Sequence, residues 1–578
     1  MNMQLLPSLA ALPDAASFDV VVIGAGGAGM SAALFAAIDG KKVLLVERSE
    51  YVGGTTAVSA GTTWIPGTRH AAAVNPGDTL AEAARYLDNA VGSHSPAAIR
   101  QAFLDNGKRA VDIVEDNTDL HYRPYPKHPD YISDLGGSTL AGRALEPLPF
   151  DGRELGPLFK LIRPPIPEFT VLGGMMVDRT DINHLLALGQ SMASFKHALK
   201  IIARHGMDRL SHPRGTRLVM GNALVGRLLL SLSKRSNVTL VLNTSVAKLG
   251  TGAGGIDAVV LTQQGQRRTV AVRGGVVLAS GGFNRHPELR QKMIPGVPAE
   301  WSPTAPVNHG EAQVLATQAG AHYGKDGASH AFWAPVSIRK RADGSSAAFP
   351  HFVMDRAKPG MLTVNQAGKR FVNESTSYHL FGLAMQQAHK ATPSVPAYMV
   401  GDAEALRKYG MGMVRPGGKG LAPFLADGYL VQGDTLDELA QKLGIDAAGL
   451  KASVAQINQY AETGVDADFQ RGVTAYQQNI GDATLGTKNP NLRALAPQGP
   501  YYAIRLYPGD IGAATGLATD ADARVLDARD QPIPGLYAVG NDMQSMMGGV
   551  YTAPGITIGP GLVFGYIAAK HAGARAAG

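Results

Sequence analysis

Apolar runs and apolar stripes mark out the elements along the chain. Val20 to Ile23 is an unbroken apolar run, as a strand covered on both faces requires. An Ala-rich helical stretch from Met30 to Ile38 follows, stopped by Gly40, and a second apolar strand runs from Val43 to Val46. Helices are expected over Thr79–Val91, where Ala81, Ala84 and Leu87 share a face, over Ala97–Val114 and over Ala223–Leu232. Strands follow at Val238–Leu242 and Gly275–Leu278, the second ending in the small residues Ala279 to Gly282. Met361–Val364 and Arg370–Glu374 read as a hairpin around Gln366 to Gly368. Leu436–Leu443 and Ala447–Gly464 read as helices, with Asp446 capping the second. Strands return at Ala503–Leu506 and Gly535–Asn541 before an apolar helix, Gly561–Ala574.

Two stretches break this alternation. Tyr122, Tyr125, Pro126, Pro129 and Tyr131 form a Pro- and Tyr-rich loop, which either lines a pocket or simply lies at the surface. Residues from about Phe150 to Arg217 mix apolar residues, prolines and basic residues. Within them Ser194 to Leu210 reads as a helix, with Phe195, Leu199, Ile201 and Ile202 apolar and Lys196, Lys200, Arg204 and Arg209 basic. That makeup suits attachment to a membrane surface; the alternative is a helix packed on its own domain with a solvated basic face.

Composition narrows the class. A chain of 578 residues, 45% apolar and 17% charged with 70 Gly, fits two globular domains and a loop-rich fold. It has no Cys, which excludes disulfides, thiolate metal sites and a cysteine nucleophile and fits a reducing, cytoplasmic setting. The N-terminal residues up to Ala16 lack a basic start and read as a flexible leader. No run of about 18 apolar residues occurs, so no spanning helix is expected. The net charge of +7 is scattered, and no nucleic-acid motif accompanies it. His121, His128 and His379 lack ligand spacing and read as loop or surface residues, so no metal site is expected.

The most specific signal is Gly24-x-Gly26-x-x-Gly29 between the first strand and helix. Gly24 permits a sharp turn, Gly26 lets backbone approach a pyrophosphate, and Gly29 allows close helix–strand packing. The helix N-terminus favours anionic phosphates. Glu47, about 20 residues on, is placed to accept hydrogen bonds from a ribose diol. The loop Val52 to Gly61, rich in Gly, Ala, Ser and Thr, can wrap a large cofactor closely. A glycine-rich approach, Gly548 to Pro560, leads into the last helix as a second anion or oxyanion site.

These motifs together resemble the FAD-binding domain of the fumarate reductase and succinate dehydrogenase flavoprotein superfamily. Where its membrane-linked members carry a His that holds the flavin covalently, this chain has Thr55 and Thr56, so the resemblance implies non-covalent FAD. The implied fold is α/β: a Rossmann-like, glutathione-reductase-like FAD domain (βαβ with a mixed sheet) carrying an inserted α+β catalytic domain. Residues 1–284 and 492–578 would form the first domain, with 150–217 as an insertion, and 285–491 the second. Implied cofactor contacts are Gly24, Gly26, Gly27, Gly29, Glu47, Arg48, Gly54, Thr55, Thr56, Ser59, Ala60, Gly61, Val246, Ser280, Gly281, Gly540, Asn541, Gly555, Thr557 and Ile558.

Within that superfamily, Tyr551-x-x-Pro554-Gly555 followed by Ile558-Gly559-Pro560 resembles the C-terminal signature of bacterial 3-ketosteroid Δ1-dehydrogenases. Pro129-Asp130-Tyr131 and the stretch Arg370 to Glu374 followed by Tyr378 and Gly382 resemble two further segments of that family. The resemblance implies that Tyr551 and the Gly555 N–H hold the C3 carbonyl of a steroid or sterol. It implies that Tyr378 takes a C2 proton with Tyr131 assisting, and that the flavin accepts the C1 hydride. Extended members similar to this one are membrane-associated, which implies peripheral contact with the inner membrane. Rivals are a 3-oxosteroid Δ4-dehydrogenase, which would use much the same parts, and a fumarate-reductase-like enzyme. The latter needs Arg and His to clamp two carboxylates, and residues 542–565 contain neither. No second dinucleotide fingerprint occurs, so electrons are expected to pass to a quinone, oxygen or an artificial dye.

Overall fold

The computed structural model describes residues 2–578 apart from 342 and 354. The apolar runs form the centre of a nine-stranded mixed sheet. Ser17–Ile23 pairs in parallel with Val43–Val46 on one side (Val20 opposite Val43) and with Gln266–Leu278 on the other (Val21 opposite Val276). Val238–Val241 pairs with Val43–Val46, and Pro532–Ala538 pairs with the end of Gln266–Leu278, both in parallel. An antiparallel meander, Ser245–Gly252 and Gly255–Gln263, completes the mixed character. Helices Gly27–Ile38 and Ile558–Arg575 pack on this sheet, buried along nearly their whole length because small residues let helix and strand approach closely.

The expected leader is part of this domain. Gln4–Leu6 pairs with Val238–Val241, and Leu6, Leu9 and Leu12 are buried in the main core. A strand with one buried side chain leaves almost no periodic signal.

The second domain is a six-stranded antiparallel sheet built on Ala331–Lys340, Tyr501–Ala513, Ala397–Asp402 and Met361–Val364. Its two faces are covered separately. One carries Met361, Met399 and Ile504 against Phe381 of helix Tyr378–His389; the other carries Leu362, Val400 and Ala503 against helices Leu436–Leu443 and Ala447–Thr463. Tyr501–Ala513, expected in the last part of the FAD domain, is instead an interior strand of this sheet. Arg370–Glu374 is not a strand; only Arg370 bridges back to Val364. The competing interaction is ionic: Arg370 Nη2 meets Glu374 and Asp466, each at 2.7 Å, and Arg471 lies 3.3 Å from Glu374.

The chain passes from the first sheet to the second after Leu278 and returns after Ala513, and both passages meet at Asp510. Its buried carboxylate accepts from Asn284 Nδ2 at 2.7 Å, Arg290 Nη2 at 2.6 Å and Ser302 Oγ at 2.9 Å.

In the insertion, helices Arg179–Leu186 and Met192–Asp208 are tethered from below. Buried Asp181 accepts from Arg217 at 2.7 Å and lies 2.8 Å from His197. Ile201 and Ala198 face inward, whereas Phe195, Leu199, Met207 and Leu210 are 48%, 55%, 64% and 89% exposed. Among the described residues, no helix is long and apolar enough to cross a membrane.

Candidate active site

The glycine motif folds as its spacing requires. A Cβ on Gly29 would lie 1.9 Å from the Gly24 carbonyl oxygen, and one on Gly24 (φ +106°) 2.3 Å from that of Ala279. A Cβ on Gly26, in contrast, would meet nothing within 4 Å, and Gly26 begins the helix without a side-chain cap. An open, uncapped helix start flanked by tightly packed glycines suits a pyrophosphate. The Glu47 carboxylate is fixed by N–H groups of Ala25 and Ser49, both at 2.9 Å, and by the Ser49 hydroxyl at 2.8 Å, leaving lone pairs for a diol.

The other expected cofactor residues gather at the same ends of the strands. Thr56 Oγ1 accepts from Gly27 N at 3.2 Å, and the Ser59 hydroxyl braces the turn by accepting from Gly61 N at 3.0 Å. Thr55 Oγ1 accepts from Ala305 N and Asn308 Nδ2, tying the cofactor loop to the second domain. Arg48 pairs with Glu311 at 3.0 Å; Ala60 is exposed, and Gly54 and Val246 are half-buried. Gly540 (φ +60°) packs on Ala28, Gly281 (φ +95°) lies against Asn308, and the Asn541 carbonyl accepts from Gln313. Thr557 and Ile558 start the C-terminal helix, again without a side-chain cap.

Asp542 holds this region together and was not foreseen. It accepts from both the N–H and the hydroxyl of Ser280 and from Gly282 N at 3.1 Å, and burial pushes its carboxyl up to about 6. Nothing in its local sequence marks it; its partners lie about 260 residues away.

Three segments far apart in sequence bring the tyrosines together. Tyr131 is held by its own N–H on the Thr552 carbonyl at 2.8 Å, and Tyr86 donates to that same carbonyl at 2.6 Å. Neighbouring Asp130 is buried and accepts from Trp64 Nε1 and Arg143 Nη1, both at 2.9 Å, which stiffens the loop. Tyr378 opens its helix behind the N-cap Ser377. Tyr551 follows Gly548 and Gly549, where a Cβ would strike the carbonyls of His94 and Ser329.

The Tyr131 hydroxyl donates to that of Tyr378 at 3.1 Å, and the Tyr551 ring lies 5.0 Å from Tyr378 and 5.8 Å from Tyr131. Phe332 and Phe352 wall the cluster at 5.1 Å from Tyr551 and 4.9 Å from Tyr378. Burial pushes the Tyr131 and Tyr378 phenols well above 10, and hydrogen bonds to Tyr378 and Thr557 offset part of the rise at Tyr551. Gly555 (φ +91°) offers its carbonyl to Trp64 N at 3.2 Å, while its own N–H has no protein acceptor among the described residues. The Tyr551 phenol and the Gly555 N–H, four residues apart in the chain, are the two donors that a carbonyl oxygen would need.

His379 is not a surface residue. It is buried beside Tyr551, accepts from Trp333 N at 3.1 Å, and burial lowers it to about 3, so it is neutral. His128 is likewise lowered to about 4. A fourth tyrosine, Tyr476, has its ring 4.7 Å from Tyr131. It lacked any sequence signal because its short helix, Ala475–Ile480, resembles many others.

Residues 19–558 match the model of the FAD binding domain family. The chain belongs to that family. It is an FAD-dependent oxidoreductase, with the Rossmann-like FAD domain and inserted α+β domain expected from its motifs. It is 38% identical over 557 residues to the 4-oxocyclohex-2-ene-1-carboxylate 5-dehydrogenase of Sinomonas cyclohexanicum, covering 96% of this chain and 93% of the relative. It is 34% identical over 573 residues to a 3-oxosteroid 1-dehydrogenase of Mycolicibacterium smegmatis, covering 97% and 98%. The crystal structure of 3-ketosteroid Δ1-dehydrogenase from Sterolibacterium denitrificans in complex with 1,4-androstadiene-3,17-dione superposes with a TM-score of 0.89 at 35% identity, covering 96% of this chain and 99% of that one.

Proposed function

We propose that this FAD-dependent enzyme is a 3-oxosteroid Δ1-dehydrogenase that converts a 3-oxosteroid, such as a cholest-4-en-3-one-type sterol, to its 1-ene. The observation that carries the reading is the Tyr131–Tyr378–Tyr551 cluster, in walls of Phe332 and Phe352. The Tyr551 hydroxyl and Gly555 N–H hold the C3 carbonyl oxygen and stabilise negative charge developing there. Tyr378 removes the C2 proton, and Tyr131, hydrogen-bonded to it, passes the proton on. FAD, when bound at Gly26, Glu47 and the Thr55–Thr56 loop, supplies the acceptor for the C1 hydride. One proton and one hydride leave, and C1 and C2 become doubly bonded.

A smaller 4-oxocyclohexene carboxylate is the second reading, favoured by the 38% identical relative. Its carboxylate would need a cation as partner. Incubating the enzyme anaerobically with a 4-ene-3-ketosteroid and with 4-oxocyclohex-2-ene-1-carboxylate separates the two. Flavin bleaching and a 1,4-diene product with the steroid alone support the proposal; turnover of the carboxylate alone ends it.

The insertion supports the further reading that the enzyme docks on an anionic membrane and passes electrons to a quinone there. Phe195, Leu199, Met207 and Leu210 expose apolar surface next to exposed Lys196, Lys200 and Arg209. Leu199→Ser, Met207→Ser and Leu210→Ser together should weaken co-sedimentation with phosphatidylglycerol vesicles at least tenfold. Unchanged sedimentation would remove the membrane from the account.

A further inference from the structure

A buried phenol whose pKa stands well above 10 is a poor base at neutral pH. The pairing of Tyr131 with Tyr378 does not cure this, because both are buried and neither carries charge. Neutral His128 and His379 supply no cation either. Arg356 does. It is fully buried, and among the described residues it forms no ion pair with a carboxylate. Its Nε donates to the His351 carbonyl at 3.1 Å, Nη2 to that of Phe352 at 2.9 Å and Nη1 to that of Glu374 at 2.5 Å. Two of these carbonyls belong to residues close to Tyr378: the Phe352 ring packs on its ring, and Glu374 lies four residues before it in the chain.

Burial raises the Tyr476 phenol, and the nearby charge of Arg356, which faces Tyr476 and Tyr131, offsets part of that rise. The Tyr476 hydroxyl is buried, makes no short hydrogen bond, and its ring abuts that of Tyr131 at 4.7 Å. Other charged groups facing Arg356 are accounted for. Asp355 is taken up by His351 Nδ1 at 2.7 Å, Gly412 N at 2.8 Å and the Arg356 N–H at 2.7 Å. Arg471, also cationic, is turned to Glu374 and to the Met361 and Lys358 carbonyls.

We infer that the Arg356 guanidinium is the counter-charge that allows the Tyr131–Tyr378 pair to hold a phenolate, acting through the Tyr476 hydroxyl. Arg356 is thus a positioning residue, and the inference rests on the proposed role of Tyr378 as base. Neutralising a buried cation disfavours the neighbouring anion, whereas moving a merely structural side chain lowers the rate equally at every pH.

The test compares Arg356→Gln, Arg356→Lys and Tyr476→Phe as holoenzymes, reading the pH profile of anaerobic flavin reduction by a 4-ene-3-ketosteroid. The rising alkaline limb should move up by at least one pH unit in Arg356→Gln, about a tenfold loss at neutral pH, and return towards its original place in Arg356→Lys. Tyr476→Phe removes none of the three carbonyl contacts and should move the limb the same way by a smaller amount. It carries the test if Arg356→Gln does not accumulate. A second readout needs no substrate: tyrosinate absorbance against pH, taken as the difference from the Tyr378→Phe variant, should shift upward in the same two variants. A shift there with no turnover of steroid by the unaltered enzyme would sink the substrate reading and leave the counter-charge. Limbs and titrations unmoved in both Arg356→Gln and Tyr476→Phe overturn the inference; an unmoved Tyr476→Phe overturns it if Arg356→Gln cannot be made.

Discussion

Replacing Tyr378 with Phe separates a catalytic hydroxyl from a structural one by magnitude. The ring keeps its packing, with Phe352 at 4.9 Å, Tyr551 at 5.0 Å and Tyr131 at 5.3 Å. The loss is the 3.1 Å hydrogen bond from Tyr131 together with the hydrogen bond to Tyr551, about 1 kcal/mol net each and up to about 3 kcal/mol if a partner hydroxyl stays unpaired. The fold should therefore survive with FAD bound and a melting temperature lowered by only about 1–3 °C. A positioned general base is worth about 10²–10⁴-fold, or roughly 3–5.5 kcal/mol of barrier, so turnover should fall by that factor. Flavin absorbance and thermal melting report the first effect; anaerobic flavin bleaching by a 4-ene-3-ketosteroid reports the second. Turnover within about threefold of the unaltered enzyme, with FAD retained, would remove Tyr378 from the chemistry.

Three further outcomes are expected. Gly29→Ala places a Cβ 1.9 Å from the Gly24 carbonyl, so flavin content of the purified protein should fall steeply; full occupancy would contradict the packing argument. Glu374→Ala leaves buried Arg471 without a carboxylate partner and Arg370 with Asp466 alone, and should cost about 3–5 kcal/mol in denaturant unfolding, far more than a surface charge. Asp542 has its carboxyl raised from 3.8 to about 6, so the stabilisation from its protonated form is full below about 4 and is lost as pH rises through 6. The stability difference between the unaltered enzyme and Asp542→Asn should therefore change by about 3 kcal/mol between pH 4 and 7, and a flat difference would refute the shift.

The βαβ unit was legible because a strand covered on both faces needs a continuous apolar run and its turn needs glycines at fixed offsets. Helix Ala447–Thr463 was legible from its cap: Asp446 accepts from Gly449 N at 3.0 Å. Long-range ionic and phenolic networks were not. Arg370–Glu374 looked like a strand because the turn Gln366 to Gly368 separates it from Met361–Val364, yet Asp466, 96 residues on, draws Arg370 into an ion network. Asp542, Arg356 and Tyr476 owe their roles to neighbours that the fold supplies, and no spacing rule reaches that far. The exposed apolar side of Met192–Asp208 was visible as a pattern, but only the structure shows which residues of that stripe face outward.

The knot at Asp510 has a mechanical consequence. The polypeptide travels between the two sheets only twice, and a single buried carboxylate at the start of the return clasps three residues of the outward strip. Such a clasp denies the molecule a free pivot, so wholesale gaping of one lobe from the other is an expensive way to admit a substrate. Entry and exit then fall to smaller parts at the rim, and the tyrosines, borrowed from both lobes, stay aligned from one catalytic cycle to the next.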